Sequence, residues 1–135
     1  MEREKIIQVR TSGRDDMVDI TDQVSSMLPA GFNGACLVCS LHTTAGVTVN
    51  ENADPDVPAD LLAQLDRMIP WNAPHYRHGE GNSAAHLKTS LVGSSVTLPV
   101  QDGRLSLGVW QAVFLCEFDG PRQRRVLVKL LAGGA

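Results

Sequence analysis

The sequence predicts an α+β fold built on an antiparallel, sandwich-like core of strands. Short runs of β-branched residues bounded by turn residues recur along the chain. Two helix-period stretches stand together in its middle, and strands dominate the C-terminal half. The length of 135 residues fits one domain spanning 1–135. A chain of that size buries roughly two-thirds of the surface its unfolded form exposes, so it folds without covalent staples.

Lys5 to Thr11 and Met17 to Ile20 read as the first two strands, separated by the polar turn Arg14-Asp15-Asp16. Thr21 or Asp22 is placed to cap a short helix running through Leu28, which Pro29, Gly31 and Gly34 break. Ala35 to Leu41 is almost wholly apolar, as a strand buried on both faces at the centre of a sheet would be. Thr44 to Val49 reads as a further strand. The clearest helix follows: Asp54 as N-cap, Pro55 in the first turn, a stripe of Val57, Leu61, Leu65 and Met68, and Pro70 as the stop. Residues 71–82 are polar and irregular. Ser83 to Leu91 reads as a second helix ended by Gly93, with Leu87 and Leu91 toward the core. Ser94 to Val100 is a strand, Asp102-Gly103 a hairpin turn, and Leu105 to Glu117 one long strand. Asp119-Gly120-Pro121 turns the chain into a last strand, Arg125 to Leu131, and Gly133 to Ala135 form a loose tail.

A net charge of −3 argues against electrostatic binding of bulk nucleic acid. Aromatic residues at 4% supply no base-stacking platform. No apolar run reaches the roughly 18 residues of a membrane span, and the charged start MEREKIIQVR lacks the apolar stretch of a signal peptide. Three cysteines, an odd number, fit a reducing compartment. A soluble cytoplasmic protein with no nucleic-acid or membrane partner is expected. Cys36 and Cys39 are three apart on a strand, hence on opposite faces, and read as small core residues rather than a redox or zinc pair.

Four segments carry residues of chemical interest. His42 leaves an apolar strand, while His75, His78 and His86 gather around the irregular loop and the helix after it; imidazole is a frequent ligand of zinc-like cations, although these spacings match no standard zinc motif. Asn50-Glu51-Asn52-Ala53-Asp54 joins a strand to a helix; helix capping accounts for Asp54 but not for Asn50 and Glu51, and a carboxylate at a strand end could bind magnesium or move a proton. His86 and Ser90 share one helix face, with Lys88 as a phosphate contact and Gly93-Ser94-Ser95 as an anion cradle, or else the helix is an ordinary amphipathic one. Val109 and Trp110 read as core, and Gln111 and Glu117 within an apolar strand need polar partners, either as a structural network or as a site. Arg122, Arg124 and Arg125 are a solvated turn or a phosphate site.

In order along the chain, His42-Thr43-Thr44-Ala45, Asn50-Glu51-Asn52-Ala53-Asp54-Pro55, Tyr76-Arg77-His78, Ala85-His86-Leu87-Lys88, Gly93-Ser94-Ser95, Gly103-Arg104-Leu105, Leu107-Gly108-Val109-Trp110-Gln111 and Glu117-Phe118-Asp119-Gly120-Pro121-Arg122 resemble the YjbQ family, described as secondary thiamine-phosphate synthase enzyme. The resemblance implies a β-sandwich with inserted helices, assembled as a homotrimer. It implies a metal site held by His42, His78 and His86, with His75 in reserve. Zinc is the expected metal, or magnesium with a diphosphate substrate. Glu51, Asp54 and Lys88 take catalytic roles, while Asn50, Ser94, Arg104 and Gln111 bind substrate. The implied reaction joins hydroxymethylpyrimidine diphosphate to thiazole phosphate and releases pyrophosphate. A metal-dependent hydrolase with this as a side activity, and a non-catalytic trimeric metal- or ligand-binding protein, are the alternatives.

Overall fold

A computed structural model describes residues 3–133. The elements run β1 (Glu4–Arg10), β2 (Asp16–Asp19), α1 (Thr21–Ser25), β3 (Gly34–Ser40), β4 (Ala45–Glu51), α2 (Asp56–Met68), α3 (Ser83–Val92), β5 (Ser95–Gln101), β6 (Arg104–Leu105), β7 (Gln111–Glu117) and β8 (Gln123–Ala132). The tail expected at Gly134 and Ala135 lies outside the described residues. Among those residues no helix is long and apolar enough to cross a membrane.

All strand pairs are antiparallel. Five strands form one sheet in the order β1-β8-β3-β5-β6, and three form a second in the order β2-β7-β4. Val38, Val126 and Val128 of the first sheet meet Val47, Val113 and Leu115 of the second in one buried core. On the other side of the three-stranded sheet, Ala112, Phe114, Cys116 and Phe118 pack against Ala85 of α3 and Leu62 and Leu65 of α2. The mixed α+β class is as expected, with helices covering one sheet.

Several local expectations need correction. The strand buried on both faces is β7, whose alternate side chains enter the two cores. Strand β3 is central in its sheet but buries only Cys36, Val38 and Ser40 fully, so Cys39 faces outward and is no core residue. The long strand expected over Leu105–Glu117 is two strands in different sheets. Between them Gly108 donates its N–H to Gln111 Oε1 at 2.7 Å, and the Gln111 N–H returns to the Gly108 carbonyl at 3.0 Å. This turn carries the chain from one sheet to the other, and it leaves Val109 and Trp110 exposed and Gln111 a surface residue.

Helix α1 ends at Ser25, and it is Asp19 that accepts the Thr21 N–H and hydroxyl, at 2.9 and 2.6 Å. Helix α2 buries its apolar side through Leu62 and Leu65, with Met68 exposed. Asp54 Oδ1 accepts the Asp56 N–H at 2.9 Å, the capping bond its position foretold. Helix α3 turns Ala84, Ala85, Lys88 and Thr89 inward and leaves Leu87 and Leu91 out. The Asp102-Gly103 turn has positive φ at both residues, 54° and 76°, as a two-residue hairpin requires.

Candidate functional site

The antiparallel strands give the molecule two ends. At one end β3 stops, β4 and β5 begin and β7 finishes, and the histidines collect there. His42 is half-buried and its Nε2 accepts the Arg125 backbone N–H at 2.9 Å, which places the imidazole proton on Nδ1. The Ser40 hydroxyl locks the corner before it, accepting the His42 N–H at 3.2 Å and donating to the Ala45 carbonyl at 2.7 Å. Burial lowers the His42 pKa, and the positive charges of Arg124, Arg125 and Arg122 lower it further against the opposing pull of Glu117. The ring is therefore neutral at pH 7.

A buried ion pair stands beside it. Glu117 Oε1 accepts the Thr11 hydroxyl and Arg124 Nε, each at 2.8 Å, and Oε2 accepts the Phe118 and Asp119 N–H groups at 3.1 and 3.0 Å and Arg124 Nη2. Arg124 Nη2 also reaches the Thr44 hydroxyl at 2.8 Å. Burial alone would raise the Glu117 carboxyl, but the Arg124, Asp119 and Thr11 hydrogen bonds outweigh it and hold the group below its usual range. Glu117 thus belongs to a structural network. Arg124, expected in a solvated turn, is buried at the start of β8 as its partner.

His86 on α3 joins two clefts. One, of about 560 Å³, is walled by His75, Tyr76, Arg77, His78, Ser83, His86 and Leu87. The other, of about 630 Å³, runs from His42 and Thr43 past His86, Thr89 and Ser90 to Ser94. The His78 and His86 rings stand 5.3 Å apart between centroids at 79°. Two imidazoles on one tetrahedral zinc, with Zn–N bonds near 2.1 Å, place their centroids roughly 5 Å apart. The pair therefore fits two positions of a cation site. The third does not: His42 is committed through Nε2 to Arg125, and among the described residues no three His, Cys, Asp or Glu side chains converge as a ligand set.

The other candidate residues are divided between places. Ser94 lines the His42 cleft, while Lys88 is fully buried, its Nζ held by Asp15 Oδ1 and Asp66 Oδ1 at 3.0 Å each, and lines neither histidine cleft. Asn50, Glu51 and Gln111 stand at the opposite end of the sheets, where Glu51 pairs with Gln111. Asp54 is exposed beyond them, its carboxylate capping α2. Arg104 pairs with Gln101, six residues along β5 from Ser95 and so roughly 20 Å from the histidine end. Tyr76 and Thr89 are cleft residues that the sequence did not single out. The signal for Thr89 was its place three residues after His86, one turn along the same face.

Residues 5–133 match the family model described as UPF0047 protein YjbQ-like. The UPF0047 protein YugU of Bacillus subtilis is 50% identical over 129 residues, covering 94% of this chain and 98% of its own length. A UPF0047 protein of Methanocaldococcus jannaschii is 45% identical, covering 92% and 91%. The crystal structure of an uncharacterized conserved protein of the yjbq/upf0047 family from Clostridium acetobutylicum superposes with a TM-score of 0.90 at 45% identity, covering 94% of this chain and 99% of that one. A hypothetical protein from Aeropyrum pernix gives 0.91 at 36%, covering 98% and 100%.

Proposed function

The chain belongs to the YjbQ-like UPF0047 family, and from that premise we propose that it is a divalent-metal-dependent enzyme acting on a phosphorylated small molecule where the two clefts meet. The observation that carries this is the His78–His86 pair, set 5.3 Å apart at the junction of the clefts. Both clefts fall in the roughly 300–1,000 Å³ range of small-molecule sites. Zinc is the first choice for two imidazole donors, and magnesium enters with a diphosphate substrate. A bound cation supplies Lewis-acid stabilisation of phosphoryl oxygens and of a departing pyrophosphate.

His78 and His86 hold that cation through their ring nitrogens. His42 becomes a third ligand only by giving up its bond to the Arg125 N–H; otherwise it is a neutral ring whose Nδ1–H donates to the ligand. The reaction we propose is the joining of hydroxymethylpyrimidine diphosphate to thiazole phosphate with release of pyrophosphate, making thiamine phosphate. Its support is the resemblance together with a cleft that offers hydroxyl donors beside the histidines. We further propose that the two sheets form a β-sandwich and that the chain assembles as a homotrimer. The apolar residues left on the outer side of the five-stranded sheet, Ile6 at 40% and Leu131 at 43% exposure, support a covering partner. A cytoplasmic location is supported by three cysteines that remain unpaired.

Elemental mass spectrometry of the untagged protein, with His86→Ala and His78→Ala alongside, tests the site. About one divalent ion per chain, lost in both variants, is expected. A wild-type protein that takes up no zinc, manganese or magnesium overturns the metal centre. Incubation with the two thiamine precursors should yield thiamine phosphate above a no-enzyme control, and its absence overturns the reaction.

A further inference from the structure

We propose that the cleft between His42 and His86 is a phosphate-monoester subsite, with Thr89 on its floor and the hydroxyls of Thr43, Ser90 and Ser94 on its walls. The inference deepens the enzyme reading and rests on it only for the identity of the cleft as the substrate site.

Thr89 carries the argument. It is 6% exposed, it lines the cleft, and its buried hydroxyl has no hydrogen-bond partner among the described residues. Buried hydroxyls without partners are uncommon because each forfeits its bond to water. The hydroxyl is closed to solvent as placed, and a helical threonine uses two side-chain rotamers, so a turn about Cα–Cβ is the movement that would bring it to a ligand in the cleft. A ligand acceptor in the cleft would satisfy the group that the fold leaves unmet. Thr43, Ser90 and Ser94 stand exposed around the same space. Among the described residues that line it there is no carboxylate, and no lysine or arginine, so hydroxyls and imidazoles are its polar groups.

Gly93, at φ +101°, has open space where a Cβ would stand, which keeps the cleft clear beside Ser94. Hydroxyls from several sides match a tetrahedral group with several acceptor oxygens better than a planar carboxylate. The C-terminal end of α3 opposes an anion here, but only with a fraction of a unit charge. Of the guanidiniums near His42, Arg124 is paired with Glu117 and Arg122 with Asp119, which leaves Arg125 as the one with no carboxylate partner among the described residues. The neighbouring cleft, with Tyr76, Leu87 and Arg77 on its wall, is left for the rest of the same molecule, and His86 stands between the two.

The test is a phosphorus-31 NMR titration of inorganic phosphate and pyrophosphate into the full chain, in chelator and again with added zinc, with acetate as competitor. Wild type should bind phosphate in chelator, and acetate should compete poorly. Thr89→Val should weaken phosphate binding by roughly tenfold or more, the scale of a hydrogen bond to a charged acceptor, while Thr89→Ser stays close to wild type. Thr89→Val should melt no lower than wild type, because the hydroxyl it removes has no partner. Wild type that binds no phosphate under either condition overturns the subsite, as does a Thr89→Val variant that binds like wild type. The enzyme reading fails separately: phosphate binding that depends on Thr89, in a protein that makes no thiamine phosphate, leaves the subsite standing and removes the reaction.

Discussion

Replacing Arg124 by Met tests the buried ion pair beside His42. The substitution keeps most of the side chain's length and removes two of the five hydrogen bonds that Glu117 accepts, those from Nε and Nη2. The carboxylate keeps Thr11 and the Phe118 and Asp119 N–H groups but loses its only charged partner in the network. Removing one member of a buried pair costs about 3–5 kcal/mol, since the other is left as an uncompensated charge. Glu117 is fully buried, so solvent does not screen that loss.

The sign of the pH dependence follows. In wild type the Glu117 carboxyl is held below its usual range, so its contribution is present above the unfolded value near pH 4.3 and is lost as pH falls through the lower folded value. In the variant, burial without the cation pushes the same carboxyl up. The folded variant then takes up a proton, and its deficit shrinks as pH falls. At about 1.4 kcal/mol per pH unit, the gap narrows by up to about 2.7 kcal/mol between roughly pH 7.5 and 5.5. Urea unfolding of both proteins at the two pH values measures it. NMR titration of His42 gives a second readout: its pKa should rise, because Arg124 supplies the largest of the charge effects that lower it. A deficit under about 1 kcal/mol, or one that does not change with pH, refutes the reasoning.

Lys88→Met should cost less, about 1–3 kcal/mol by urea unfolding, because Asp66 is half-exposed and both Asp66 and Asp15 keep Arg14 as an ion-pair partner. Iodoacetamide should spare Cys36 and Cys116 until unfolding, since burial pushes those thiols up to about 11 and about 12, while Cys39, in one cross-strand row with Leu127 and Ile6, should react in a monomer and be protected where the proposed trimer covers that face; mass spectrometry of the tryptic peptides reads this out. Gly103→Ala should lower stability by at least about 1–2 kcal/mol in thermal melts, because a side chain disfavours its φ of +76° and the new Cβ would sit 2.9 Å from the Pro29 carbonyl oxygen.

What could be read from the sequence was local. The Asp102-Gly103 turn, the Asp54 cap and the apolar runs of β3 and β7 each depend on residues within a few positions of one another. The placement of charge was not legible. Lys88 meets Asp15 across 73 positions, and Arg124 meets Thr44 across 80, and no periodicity announces either bond. Lys88 lies in a quoted motif beside His86, and motif membership alone made it a site candidate; its burial shows that the motif serves packing as well. The break at residues 106–110 was hidden for a related reason. Leu105, Leu107 and Val109 continue the alternation of a strand, and only the change of sheet reveals the turn. His78 and His86 were legible as a cluster because the loop between them is short, whereas the relation of His42 to Arg125 depends on β3 lying beside β8.

The separation of the candidate residues into two ends constrains the proposed chemistry further. Ala45 stands at the histidine end of β4 and Glu51 at the other, six residues apart, which is roughly 20 Å along a strand. A carboxylate so placed cannot move a proton at His86 of its own chain. If Glu51 is catalytic, it serves the histidines of a neighbouring copy, so its role requires the proposed trimer. Mixing decides this. His86→Ala and Glu51→Gln chains, each expected to be inactive alone, are unfolded together in equal amounts and refolded. In a ring of three, a site is intact when its histidines come from a Glu51→Gln chain and its carboxylate from a neighbouring His86→Ala chain, which random assembly gives at about one site in four. Thiamine phosphate formation recovering toward a quarter of the wild-type rate places Glu51 across a subunit boundary. A mixture as inactive as its components, from chains that each refold to the native circular dichroism spectrum, refutes catalysis by Glu51 across a subunit boundary, and a Glu51→Gln chain that is active alone removes Glu51 from the mechanism and leaves the proton chemistry to the neutral His42 beside the cleft.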